Sequence, residues 1–227
     1  MKAPVIDYRK LRLSNLNSPE FRHLFLLLGW VGYFCLYFLT ENLIPPENCH
    51  PVHCALDDMI PFNEYFVIAY AGWYVLIVVS LGYFLLYNVE NFKNLQTYII
   101  ITQIVAMAVY ILYPTRQDLR PTEFPRENVF SWLMGVIYAF DTSTGVCPSL
   151  HVAYSLGIAS TWMKEESASK TVKAFILFAV FMICISVSFV KQHSVVDIFA
   201  ALPLGVLAEV LVFRKYYAQK RRNRIKS

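Results

Sequence analysis

The sequence predicts an all-α, polytopic membrane protein with six transmembrane helices and one short re-entrant or interfacial segment. Three observations carry that expectation. Of the 227 residues, 57% are hydrophobic and 16% are charged, well under the roughly 25% charged residues of water-soluble chains. Mean hydropathy is +0.45. The apolar residues also fall in runs long enough to span or nearly span a bilayer, separated by short polar segments.

The runs follow in order. The first 20 residues are polar and hold Lys2, Arg9, Lys10 and Arg12, so no cleavable leader is expected, and the first apolar run is read as an uncleaved anchor. The expected spans are Leu24–Thr40, a helix within Tyr65–Val89, one within Asn94–Thr115, then Ser149–Met163, Ala174–Val190 and Val195–Phe213. Val129–Phe140 is uncharged but about one leaflet long, and is read as re-entrant or interfacial. The chain is expected to form one membrane domain over residues 1–227, with its motif-bearing core at about 113–213.

Charge orients this layout. Of 20 Lys and Arg, 16 lie in residues 1–23, the 88–96 loop, the 164–173 loop or the tail after Phe213. The remaining four are Arg116, Arg120, Arg126 and Lys191. Cytoplasmic segments are rich in Lys and Arg, so both termini are expected in the cytoplasm of a multi-pass cell-membrane protein. A seventh span at Val129–Phe140 would put the cationic tail outside. That tail is read as an orientation signal touching anionic lipid, not as a nucleic-acid site.

The polar motifs fall on the extracytoplasmic side. In Gly145-Val-Cys-Pro-Ser-Leu-His151 a Gly–Pro loop runs into a helix start. Pro148 suits the first helical turn. The free N–H groups there, with the Ser149 hydroxyl, suit a phosphate group, and His151 sits one turn in. In Lys191-Gln-His-Ser-Val-Val-Asp197 the four-residue spacing puts His193 and Asp197 on one helix face. A carboxylate accepting from one imidazole nitrogen fixes the tautomer and frees the other nitrogen to attack. Arg116 and Arg120, in Tyr113-Pro-Thr-Arg-Gln-Asp-Leu-Arg-Pro121, add forks that suit phosphate oxygens. The competing readings are a capped helix with an incidental histidine, a His–Asp pair that only caps its helix, and loop arginines kept for solubility.

These residues resemble the type 2 phosphatidic acid phosphatase superfamily. Pro148-Ser149-Leu150-His151 matches its P-S-x-H motif, and Ser186, His193 and Asp197 match three positions of S-R-x5-H-x3-D. Arg120-Pro121 matches the end of K-x6-R-P. The resemblance implies that His193 is a nucleophile forming a phosphohistidine and that Asp197 orients it. His151 is then general acid and later base, while Ser149 and Arg120 hold phosphate oxygens. It implies a lipid phosphate substrate and no metal or cofactor. Two family cations are replaced, by Tyr113 and Val187; Arg116 and Lys191 are the candidates to supply that charge. The same loss resembles the sphingolipid phosphotransferase branches, of the inositol phosphorylceramide or sphingomyelin synthase kind, which pass the phospho-group to an alcohol. Hydrolysis is the leading expectation, transfer the alternative, and a non-catalytic lipid-binding or transport protein the reading from outside the enzymes.

Three further features stay open at the level of sequence. Cys49-His-Pro-Val-His-Cys54 admits a zinc site, a disulfide or free thiols. Asp57-Asp58 suits either a headgroup or acceptor hydroxyl, or helix capping. Glu209 is expected to pair with a tail cation.

Overall fold

The computed structural model describes residues 4–226, with the side chains of 220–226 excepted. Lys2 and the tail cations from Lys220 onward, counted above as orientation signals, lie outside the described side chains. The described residues are mostly helical: α1 (Leu28–Leu43), α2 (Ala55–Met59), α3 (Val67–Tyr87), α4 (Val89–Leu112), α5 (Val129–Phe140), α6 (Leu150–Lys164), α7 (Lys170–Phe189) and α8 (Val195–Lys226). Two short strands form a two-residue parallel pair, β1 (His50–Pro51) on β2 (Thr115–Arg116).

Five helical segments are long and apolar enough to cross a membrane: Arg22–Leu43, Glu64–Tyr87, Val89–Leu112, Lys170–Phe189 and Val195–Gln219. The expected fourth span is present as α6 but has 15 residues, a rise of about 22 Å against a hydrocarbon core of about 30 Å. α6 packs against α4, α7 and α8, and most of its side chains are buried. Small residues permit this. Gly157 sits so close to Tyr98 of α4 that a Cβ there would overlap the ring.

α3 also packs against α6, and α3 and α4 pack against each other. α1 has no buried residue and leans on α4, where Gly29 meets Ile100 and Trp30 Nε1 donates to Gln96 Oε1 at 3.1 Å. The expected 88–96 loop is absent: Asn88 alone separates α3 from α4, and its side chain accepts from the Asn91 N–H. That cap starts the helix early, because Phe92 and Leu95 are apolar, fully buried and at helical spacing. Lys93 is therefore helical and pairs with Glu90.

The loops sort to two ends. At one end, β1 pairs with β2, Arg116 bridges to Thr144, and the Asn63 N–H donates to Phe189 O. Arg126 forks onto the fully buried Glu64 at 2.7 and 2.8 Å, and Asn128, the N-cap of α5, joins the same carboxylate. Arg116, Arg120, Arg126 and Lys191 all lie in these connections between the long helices. At the other end, Tyr8 bonds His23 and the Leu85 carbonyl. Asn88 and Asn91 bond Glu165 there, and among the described side chains Glu209 pairs with Lys164 at 2.6 Å and not with a tail cation.

Candidate active site

The loop between α7 and α8 delivers His193. α7 ends at Val190, and Lys191 then takes a left-handed conformation, φ 53°. The N–H groups of Gln192 and His193 both return to the Val187 carbonyl, turning the chain back within one helical turn. Ser194 opens α8 with a capping box: its hydroxyl accepts from the Val196 N–H, and Asp197 Oδ2 accepts from the Ser194 N–H at 3.0 Å. The same oxygen lies 3.1 Å from His193 Nδ1. Asp197 therefore caps the start of α8 and contacts the His193 imidazole with the same oxygen.

The start of α6 delivers His151. Ser149 is its N-cap, accepting from the Val152 N–H, and the Ser149 N–H donates to the Asp197 carbonyl at 3.1 Å. That bond ties the two motifs backbone to backbone. His151 Nδ1 then lies 3.4 Å from His193 Nε2. The His151 ring is held between Trp73 and Tyr70, with centroids at 4.1 and 4.6 Å. Its Nε2 is buried without a hydrogen-bond partner. The tautomer that leaves no buried N–H bare carries the proton on Nδ1, facing His193.

Both histidines line a cavity of about 590 Å³. Its long wall is apolar and aromatic, with Trp30, Tyr33, Phe34, Tyr37, Trp73 and Tyr74 from α1 and α3. Phe34 and Phe140 at its edge are largely exposed on the outside of the bundle. Its polar end holds Asp141, Thr142, Thr144 and Gln192 beside the histidines. Leu150 and His151 also line it, so the first turn of α6 borders the cavity with N–H groups that no helical carbonyl satisfies.

The expected phosphate-binding side chains are not among those lining the cavity. Ser149 is fully buried at its cap. Arg120 gives four N–H bonds, to Gln192 Oε1 and to the carbonyls of Tyr138, Asp141 and Thr142, with its guanidinium 4.6 Å from the Tyr138 ring centroid. It thereby satisfies the end of α5 and holds Gln192, the neighbour of His193. Arg116 bonds Asp118 and the carbonyls of Pro46 and Cys49. Lys191 Nζ donates to the carbonyls of Asp57 and Ile60 at 2.7 and 2.5 Å; burial holds its pKa below the ordinary lysine range. The structure thus brings His151, His193 and Asp197 together, and it uses the three cations to fasten loops around them.

Several contributors carry no sequence motif. Asp57 is buried and accepts from Ser194 Oγ at 2.6 Å, the Val195 N–H at 2.8 Å and the Cys54 N–H at 2.8 Å. Burial pushes its carboxyl up, but those bonds outweigh it and hold the pKa below the usual range. It caps α2 and α8 at once, so Asp57 serves capping, while Asp58 pairs with His53. Asp141 accepts from Tyr70 OH at 2.8 Å, Gln192 Nε2 at 2.9 Å and Tyr37 OH at 3.4 Å. The one signal for Asp141 in the sequence is its place, a lone acid closing the apolar run about one leaflet long.

Cys49 and Cys54 are free thiols, and no His, Cys and acid cluster able to hold a metal occurs among the described residues. Cys147 is also free. No protein-family model, no curated protein and no solved structure matches this chain, so the residues themselves carry any assignment of function.

Proposed function

We propose that this protein is a six-span membrane enzyme that cleaves a lipid phosphate ester through a phosphohistidine on His193. The observation that carries the reading is the relay Asp197–His193–His151, with separations of 3.1 and 3.4 Å, at the polar end of an aromatic cavity. α6 serves as the sixth crossing, lengthened by the loop before it. The segregation of cations orients both termini to the cytoplasm and the cavity to the extracytoplasmic face.

The chemistry follows from the tautomers. With Nδ1–H donated to Asp197, His193 Nε2 holds a lone pair. It attacks phosphorus from about 3–3.5 Å, forming an N–P bond as the ester P–O bond breaks. The phospho-group takes the place of the direct histidine contact. For this step His151 carries a proton on each ring nitrogen, the charged form being favoured by the bound phosphate anion; the departing alkoxide takes the Nδ1 proton and leaves a neutral imidazole. The neutral nitrogen then removes a proton from water, whose oxygen attacks phosphorus as the N–P bond breaks. Free phosphate, or a phosphoester from a diester substrate, is released and His151 regains its proton. The first turn of α6 offers N–H groups to the phosphate oxygens.

Alcohol as acceptor is the second reading. It is favoured by the aromatic wall, which limits water at the intermediate. Incubation with a radiolabelled lipid phosphate, followed by alkaline quench, tests the shared step. An alkali-stable, acid-labile label on wild type that is absent from His193→Ala supports it. Absence of any label during measurable turnover overturns it. Phosphate release without added alcohol separates hydrolysis from transfer.

A further inference from the structure

Charge inside the cavity is unusual for a phosphate site. The lining contains Asp141 and two histidines but no Lys or Arg. The nearest candidate, Arg120, has four of its five N–H groups given to Gln192 and to carbonyls. A phosphomonoester dianion would meet a fixed carboxylate with no opposing charge on the wall.

The carboxylate is unusual as well. Every donor to Asp141 is neutral: two tyrosine hydroxyls and one amide. Among the described residues it has no ion pair within 4.0 Å, unlike Glu64 and Glu209. Two of its donors are the aromatic residues Tyr37 and Tyr70, and the rings of Trp30, Tyr33 and Tyr74 line the same cavity. Aromatic faces beside a carboxylate are the chemistry that recognises an alkylammonium ion. The position is also informative. Gln192 adjoins His193 in the chain and donates to Asp141 at 2.9 Å, so the anionic corner lies beside the nucleophile. A ligand with phosphate at His193 and a cation one short alkyl spacer away would meet both.

We propose that the cavity selects a zwitterionic phosphodiester, with a choline- or ethanolamine-type ammonium held at Asp141 and its monoanionic phosphate at the histidine pair. The phosphate's position rests on the role of His193 given above; the ammonium's rests on Asp141 and the rings. Such a headgroup carries no net charge, which lowers the cost of drawing it into an apolar cavity.

Binding can be read without turnover. Trp30 and Trp73 line the cavity, so ligand entry should alter tryptophan fluorescence. The full-length His193→Ala protein in maltoside micelles is titrated with an alkylphosphocholine, an alkylphosphoethanolamine, an alkylphosphoglycerol and an alkyl phosphate of equal chain length. Both ammonium ligands should bind more tightly than the glycerol diester and the monoester. Either order between the two upholds the ammonium class and tells whether rings or carboxylate dominate. Adding Asp141→Asn should weaken ammonium ligands by about 10- to 150-fold, as loss of a charge-assisted contact does, without weakening the monoester.

A monoester that binds as well as the phosphocholine overturns the proposal, even if Asp141→Asn fails to fold. So does an ammonium preference that survives Asp141→Asn. The outcomes separate from those of the enzyme reading. A His193 label with no ammonium preference sinks the headgroup alone; an ammonium preference with no label sinks the phosphohistidine alone.

Discussion

Asp57 and Ser194 stand 137 residues apart, and their side chains meet at 2.6 Å. This contact holds the first extramembrane loop against the start of α8, one residue from His193. Asp57→Ala leaves the Ser194 hydroxyl and the Val195 N–H without their acceptor. Each bare buried donor costs about 1–3 kcal/mol. The melting temperature in detergent should fall, and kcat should fall more than KM because His193 loses its backing.

The same carboxylate sets an acid limit. Its pKa is held low in the folded protein, against about 3.9 when unfolded. The stability it contributes is therefore full above the unfolded value and is lost as pH falls through the folded one. Thermal melts should show an acid-side decline that is smaller in Asp57→Asn than in wild type.

Asp197 does two jobs, and its variants should separate them. Asp197→Asn should leave the Ser194 N–H an acceptor but unsettle the His193 tautomer. Turnover should drop by orders of magnitude, on the order of 10⁴ by analogy with another His–Asp system. Asp197→Ala removes cap and orienter, and should add a stability loss of about 0.5–2 kcal/mol. Equal melting temperatures for the two variants would remove the capping role.

Gly157 packs directly against the Tyr98 ring at the α4–α6 crossing. Gly157→Ala forces the Tyr98 ring aside in a buried seam. Overpacking of this kind costs about 1–3 kcal/mol. Since α6 carries His151, activity should fall along with stability. Truncating the ring removes the overlap, so Tyr98→Ala combined with Gly157→Ala should destabilise less than the two single changes added together. Thermal melts of the three variants in detergent measure that difference.

Orientation is tested by chemistry on single cysteines. In a background with the five native cysteines replaced, a cysteine in the 114–127 loop should react with an impermeant maleimide on intact cells. One placed after Phe213 should react only after permeabilisation. Labelling of the tail from outside would reverse the reading.

The helical frame was legible because apolar runs and charge asymmetry are one-dimensional signals. The expected loop at residues 88–96 fails because polar Asn91 and Gln96 interrupt the run, although both are buried in a helix. The His193–Asp197 pair was legible because its contact is local, although His193 lies in the loop before α8 and not on the helix face that the spacing suggested. The contact of His193 with His151 depends on how two helix starts meet, and no local spacing encodes it. Arg116, Arg120 and Lys191 were read by charge alone. Their bonds go to backbone carbonyls, which look the same at every position of a sequence. Asp57 and Asp141 gain their importance from loops that arrive from distant segments.

The shortness of α6 has a consequence for how the enzyme must be assayed. A helix of 15 residues rises about 22 Å against a hydrocarbon core of about 30 Å, and the exposed Phe34 and Phe140 both line the aromatic cavity beside it. On the proposed function, a lipid would reach His193 sideways, with its acyl tails still among its neighbours, and would avoid extraction at about 0.8 kcal/mol per CH₂. Encounter is thus a two-dimensional event. The rate should follow the mole fraction of substrate in the bilayer and stay constant when vesicles of fixed composition are diluted in buffer.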